Sequence, residues 1–421
     1  MSQSPSAGVH IDRSRLLDRF LTYVREGTAA DPDSTAYPSS PGQKRLAERL
    51  ADELRAMGAE DVEVDRHSLV WATIPATRAG TTPTVALVAH LDTSPEADGE
   101  NVRPQVVESY AGGDIPLPSG EVIREAECPE LTRLRGKTLI TTDGRTLLGG
   151  DDKAGVAIIM ELAETLLTRP SLPHGRVRLL FTCDEEIGRG TDHIDLQKLD
   201  ATVAYTLDGG GAGVIDVETF SADAMSVRFV GHNIHPAIAK GRMVNAVRAA
   251  ADFVATLPRD ECSPETTDDR QGFIHPHTVR GGVGEATVEL ILRSFEEDDL
   301  DRYAGLVERL AAQAADQTPG VRCETRRRRQ YRNMREGLRR LPESVDLAEQ
   351  AFANLGRHCR RAIVRGGTDG SQLTEKGLPT PNLSSGQHNI HSVTEFACLD
   401  EMADAAGHLV ELLGLWADRR S

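Results

Sequence analysis

Apolar positions along this chain fall into two alternating rhythms. Between residues 13 and 25, Leu16, Leu17, Phe20, Leu21 and Val24 recur every three or four positions, the mark of an amphipathic helix. A second helix opens at Ser40-Pro41, a capping residue followed by a proline suited to the first turn, with Gln43 placed to complete a capping box. Leu46, Leu50, Leu54 and Met57 line one of its sides, and Gly58 stands where a helix ends. Short strand-like runs follow at 62–64 and 68–72. Residues 84–89 (TVALVA) form an unbroken apolar run, as a strand buried on both faces requires.

Farther on, 152–167 reads as a helix, 176–182 as a second buried strand and 203–207 as a third. Strands alternating with helices predict an α/β domain with a mostly parallel sheet, whose ligands bind beyond the carboxyl ends of the strands. From about Thr219 the pattern changes. Residues 222–230 alternate like a strand and 237–257 read as a helix. Strands at 272–280 and 286–293 flank a glycine-rich turn, and a helix at 300–315 precedes a strand at 321–327. That β-α-β-β-α-β order predicts a ferredoxin-like α+β lid. The remainder ends in an amphipathic helix carrying Leu409, Leu412, Leu413 and Trp416. The expected organisation is a discontinuous catalytic domain, 1–218 and 334–421, with the lid inserted at 219–333.

Size supports two domains, since 421 residues exceed one ordinary core. No apolar stretch approaches the roughly 20 residues that span a bilayer, and the polar start, Met1 to Gly8, lacks the pattern of a secretory signal. Six cysteines without close pairing fit a reducing cytoplasm. A net charge of -17, from 65 acidic against 48 basic residues, disfavours binding to a phosphate backbone. The arginines between Arg326 and Arg340 read as a solvated edge balanced by nearby acids. Neither nucleic acid nor membrane is expected as a partner.

Candidate chemistry gathers where predicted strands end. His90-Leu91-Asp92 follows TVALVA, and residues two apart in an extended segment share a face. Such a carboxylate can hold the second nitrogen of a metal-bound imidazole. Gly149 and Gly150 precede Asp151-Asp152 at a helix start, where adjacent acids can also serve as caps. Asp184-Glu185-Glu186 follows VRLLF, and consecutive acids raise one another's pKa unless a cation relieves them. Asp208-Gly209-Gly210 ends the third strand, and His388 and His391 lie late in the chain. Each cluster alone has a structural explanation. Together, imidazole and carboxylate ligands on one sheet edge suit zinc, with manganese or cobalt as substitutes.

The stretches NVRPQVVESYAGGDIPL, TLLGGDDKAGVA, FTCDEEIGRG, AYTLDGG, RGGTDGSQL and GLPTPNLSSGQHNIH, in this order, resemble the tripeptide aminopeptidases of the M20 metallopeptidase family. The likeness runs over nearly the whole chain. It implies two zinc ions per subunit, His90 and Asp208 on one, Glu186 and His391 on the other, and Asp151 bridging both. It implies Glu185 as general base, Asp92 behind His90, Arg365 on the substrate's terminal carboxylate, and His235 on the developing oxyanion. Arg293 is a further candidate for substrate contact. Short peptides are the implied substrates, with a homodimer left open. Some positions depart from the family pattern. Ala237 and Ile238 follow His235-Pro236 where His-Pro-Gly is usual, Ser392 replaces a glycine, and His388 stands where tyrosine is usual. Arg25-Glu26-Gly27 also replaces the usual serine-leucine-aspartate run. None removes an implied ligand, but they leave peptide length and side-chain preference open. The alternatives are another M20-type hydrolase (dipeptidase, N-acyl amino acid deacylase or carboxypeptidase) and a non-catalytic peptide- or nucleic-acid-binding protein.

Overall fold

A computed structural model describes residues 9–419; Met1 to Gly8, read above as lacking a signal, lie outside that range. The chain divides into two compact units. One takes the chain up to Val217 with Met334–Ala362 and the stretch from Thr368 onward, and the other is Glu218–Asn333 with Ile363–Gly367.

The first unit is built on an 11-stranded mixed sheet. At its centre Val85–His90 lies parallel between Val177–Thr182 and Val203–Gly210, and Asn382–His388 continues the parallel run. Every residue of the first two of these strands is buried, which is why both sequences are dominated by apolar residues, with Arg178 the one charged residue inside them. The flanks are antiparallel: Val70–Ile74 and Glu60–Val64 on one side, Phe396–Cys398, Leu139–Thr141 and Gln105–Val107 on the other. Helix Gly150–Thr168 is apolar nearly all round and buried along most of its length. It closes on the sheet at Gly155, where a Cβ would stand 2.3 Å from the Leu207 carbonyl oxygen. The same helix carries the buried Glu161, whose carboxylate Arg15 and Arg19 pair at 2.6 and 2.9 Å.

The expected second helix spans Pro41–Met57 and ends at Gly58 in the left-handed region, but Ser40 makes no side-chain capping bond. The Gln43 amide instead donates to the buried Asp184 carboxylate at 2.7 Å, and also lies 3.2 Å from Ser40 Oγ. An ionised acceptor outcompetes a neutral one.

In the second unit the strands Phe273–Gly282, Glu285–Ser294, Ser221–Val230 and Arg322–Tyr331 lie side by side in that order, all antiparallel. Helices Ala246–Thr256 and Glu297–Gln317 pack their apolar sides on one face, with Phe253 and Val307 against Met225, Val227, Val288 and Leu290. The expected helix over 237–257 is shorter. Its first half contains Gly241 at φ 71° and a bridge between His232 and Val244, and the helix starts only where Asn245 caps Val247. The first part of the arginine-rich segment, up to Arg329, lies in the edge strand Arg322–Tyr331, and Arg335 opens the short helix Arg335–Leu338. Arg327 meets Asp223 and Asp301 at 2.6 and 2.7 Å, and Arg332 meets Asp223 and Glu297 at 2.7 and 3.0 Å.

Candidate metal centre

The parallel strands deliver their last residues to one place. His90 ends the central strand, and its Nε2 lies 2.9 Å from Asp151 Oδ1 and 3.7 Å from Asp208 Oδ1. On the other side of Asp151, Oδ2 stands 3.4 Å from His391 Nε2, which is 3.1 Å from Glu186 Oε2. Two ligand groups result: His90, Asp151 and Asp208, and Asp151, Glu186 and His391. Within each, one donor atom per residue lies within 4.8 Å of the others. Asp151 is common to both.

Each member is held from behind. His90 Nδ1 faces the Asp92 backbone oxygen at 3.1 Å and its carboxylate at 3.3 Å. The same Asp92 carboxylate accepts the backbone N–H groups of Glu185 and Glu186 at 3.1 and 3.0 Å. His391, at φ 60°, turns Nδ1 to Glu96 at 3.0 Å. Gln387 donates its side-chain amide to Asp208 Oδ1 at 3.2 Å, and Asn382 accepts the Asp208 N–H. Glu395 accepts three backbone N–H groups of the loop that presents Asp151.

The neighbouring acids and the neighbouring histidine turn elsewhere. Asp152 accepts the N–H groups of His90 and Gly155, both at 3.2 Å, and so acts inside the helix start. Asp184, at φ 61°, points at Ser39 and Gln43. His388 pairs with Glu401 at 2.6 Å and stacks on Phe396. Lys153 donates to the Glu26 carbonyl at 2.7 Å, and burial pushes it down to about 8.

Charge explains what the cluster needs. Burial, then the charge of Asp151, push both Glu186 and Asp208 up to about 7. Glu185 is raised well above its ordinary value by burial, against the pull of His90, with Asp369, Asp208 and Glu186 adding to the rise. Burial works against charging His391, yet Asp151 and Glu186 lift it to about 11. His90 is likewise raised despite burial, by Asp151, Asp208 and Asp92. Each imidazole thus sits among carboxylates whose negative charge favours a cation at that place. Glu186 Oε1 is buried with no hydrogen-bond partner, an acceptor left over for such an ion. Two imidazole nitrogens and three carboxylates form a donor set that fits two divalent cations.

The remaining sequence candidates fall in the second unit. His235 is exposed, and its Nδ1 accepts from the Ala237 N–H at 3.2 Å. Arg365 donates to the carbonyls of Asp269, Gln271 and Thr267 and to the Thr267 hydroxyl, so both ends of its guanidinium are engaged. Arg293 reaches the Arg365 carbonyl at 3.3 Å and leaves a buried Nε without a partner. Sequence reasoning missed Gln387 and Glu395. Both flank the last ligand in the chain, yet the partners that define them lie 179 and about 245 residues away.

Residues 217–319 match the peptidase dimerisation domain of M20 peptidases. Peptidase T of Geobacillus thermodenitrificans is 42% identical over 97% of this chain and 100% of its own length. Peptidase T of Bacillus subtilis is 39% identical over 95% and 98%. Among solved structures, a tripeptidase from Staphylococcus aureus superposes with a TM-score of 0.76 at 22% identity, covering 97% of this chain and all of that one. A Bacillus subtilis protein described as a dinuclear metal binding peptidase of the M20 family gives 0.63 at 16% identity, over 96% and 98%. With such identity to peptidase T across nearly its full length, the chain belongs to the peptidase T family of M20 peptidases.

Proposed function

We propose that this protein is a two-zinc aminopeptidase that releases the N-terminal residue of short peptides, chiefly tripeptides. The observation that carries the reading is the pair of ligand groups sharing Asp151. His90 and Asp208 would hold one ion, Glu186 and His391 the other, and Asp151 both, with cobalt or manganese able to substitute. When bound, such a pair supplies Lewis acidity to the scissile carbonyl and makes a water acidic enough to attack near neutral pH.

The chain's own groups do the rest. Glu185 takes the proton of the attacking water and returns it to the leaving amine, so it ends each turnover as it began. Its raised proton affinity suits that exchange. Asp92 fixes the Glu185 backbone and, through His90, the ring orientation of a ligand. His235 is proposed to steady the oxyanion. Arg365 and Arg293 are proposed for the substrate's terminal carboxylate. The unpartnered Nε of Arg293 supports an anion there, and Arg365 would exchange carbonyl contacts for carboxylate ones. The match of 217–319 to a dimerisation domain supports pairing with a second copy. Six free cysteines support work in the cytoplasm, and among the described residues no helix is long and apolar enough to cross a membrane.

A panel of free, N-acetylated and C-amidated tripeptides tests the reading. Free tripeptides should lose their first residue, N-acetylation should abolish cleavage, and amidation should raise KM. Equal turnover of the N-acetylated peptides would refute an aminopeptidase and favour a deacylase or carboxypeptidase.

A further inference from the structure

We infer that Glu395 is a positioning residue that sets the affinity for both cations by fixing the backbone of the carboxylate they share; the inference rests on the two-cation reading above. Its carboxylate is buried, with the residue 1% exposed. Oε2 accepts the N–H groups of Leu148 and Gly149, each at 2.8 Å, and Oε1 accepts that of Asp151 at 3.0 Å.

The loop needs these acceptors. Gly149 lies in the left-handed region at φ 80°, and Asp151 and Asp152 depart from helical angles (φ -82°, ψ 105° and φ -117°, ψ 32°). The first N–H groups of a helix have no partner within it, and this start is irregular besides. Glu395 supplies a charge-assisted acceptor to three N–H groups at once. The fit is close: a Cβ on Gly150 would stand 3.0 Å from Glu395 Oε1. The carboxylate is itself firmly placed, because Glu395 precedes strand Phe396–Cys398, which pairs with both Asn382–His388 and Leu139–Thr141.

Asp151 is the only residue common to the two ligand groups among the described residues. Loosening its backbone therefore weakens both ions together. Gln387 offers a contrast, since the ligand that its side chain hydrogen-bonds is Asp208, which belongs to one group alone. A Glu395→Gln variant keeps one acceptor oxygen but turns an amide N–H toward a backbone N–H.

The test is a titration of cobalt(II) into chelator-stripped parent and Glu395→Gln protein, with binding constants from chelator competition and the visible spectrum at saturation. Both steps should weaken by roughly 10- to 100-fold, the usual cost of losing a group behind a ligand. The saturated cobalt spectrum should also differ from the parent's, which loss of general stability would not produce. Constants within threefold of the parent's, or weakening of one step alone, would overturn the inference. If the parent itself binds fewer than two equivalents, the two-cation reading fails instead. Should Glu395→Gln not fold, Glu395→Asp, which keeps the charge but falls one methylene short, is read in the same way.

Discussion

Replacing Asp92 by asparagine changes one oxygen for one NH2 group and little else in shape. In the parent, the two carboxylate oxygens accept separately from the Glu185 and Glu186 N–H groups, at 3.1 and 3.0 Å. Asparagine has a single acceptor, so one of these bonds is lost and a donor faces a donor. A hydrogen bond to a charged group contributes about 1.5–3 kcal/mol. With about 1.4 kcal/mol per tenfold, kcat/KM should fall about 10- to 150-fold. The assay is tripeptide hydrolysis at saturating zinc, with metal content measured on the same sample. A fall with two ions retained places the effect on Glu185; a fall with one ion lost places it on Glu186. Activity within threefold of the parent, with full metal, would refute the argument that Asp92 supports both.

Three further outcomes are expected. Glu185→Gln should lower kcat by about 10²–10⁴-fold with both ions still bound, and near-parent turnover would remove Glu185 as base. Burial holds His408 down to about 4 from an ordinary 6.5. Below pH 6.5 the unfolded chain takes a proton that the folded one refuses, so this contribution is complete above 6.5 and fades as pH falls toward 4. The loss is about 3 kcal/mol, so urea midpoints of His408→Gln should vary less across that window than the parent's; parallel curves would contradict this. Gly155→Ala puts a Cβ 2.3 Å from the Leu207 oxygen and 2.5 Å from Asp152 Oδ1, and should cost about 1–3 kcal/mol. An unchanged melting temperature would argue against that contact.

Local chemistry was legible wherever the neighbours in sequence are also the neighbours in space. Val85–His90 and Val177–Thr182 announce themselves because burial on both faces leaves them mostly apolar, with Arg178 the one charged residue inside either strand, and His90 and Glu186 follow from where those strands stop. The divergent roles of Asp151 and Asp152 were legible only through the family resemblance, not from the residues themselves. Two adjacent acids look alike until the turn sends one toward His90 Nε2 and the other toward the N–H of Gly155. Gln43 looked like a capping residue because Asp184, its stronger acceptor, lies 141 positions away. The expected helix over 237–257 was started too early, because Gly241 and the His232–Val244 bridge hold its first residues out of helix. Arg365 suggested a free fork, whereas the 267–271 segment already engages it.

Anomalous diffraction at the zinc edge, from crystals grown with the metal, tests the central claim most directly. Two peaks about 3.5–4 Å apart should flank Asp151, one beside His90 and Asp208 and the other beside Glu186 and His391. A single peak, or peaks that leave either group without an ion, would contradict the account.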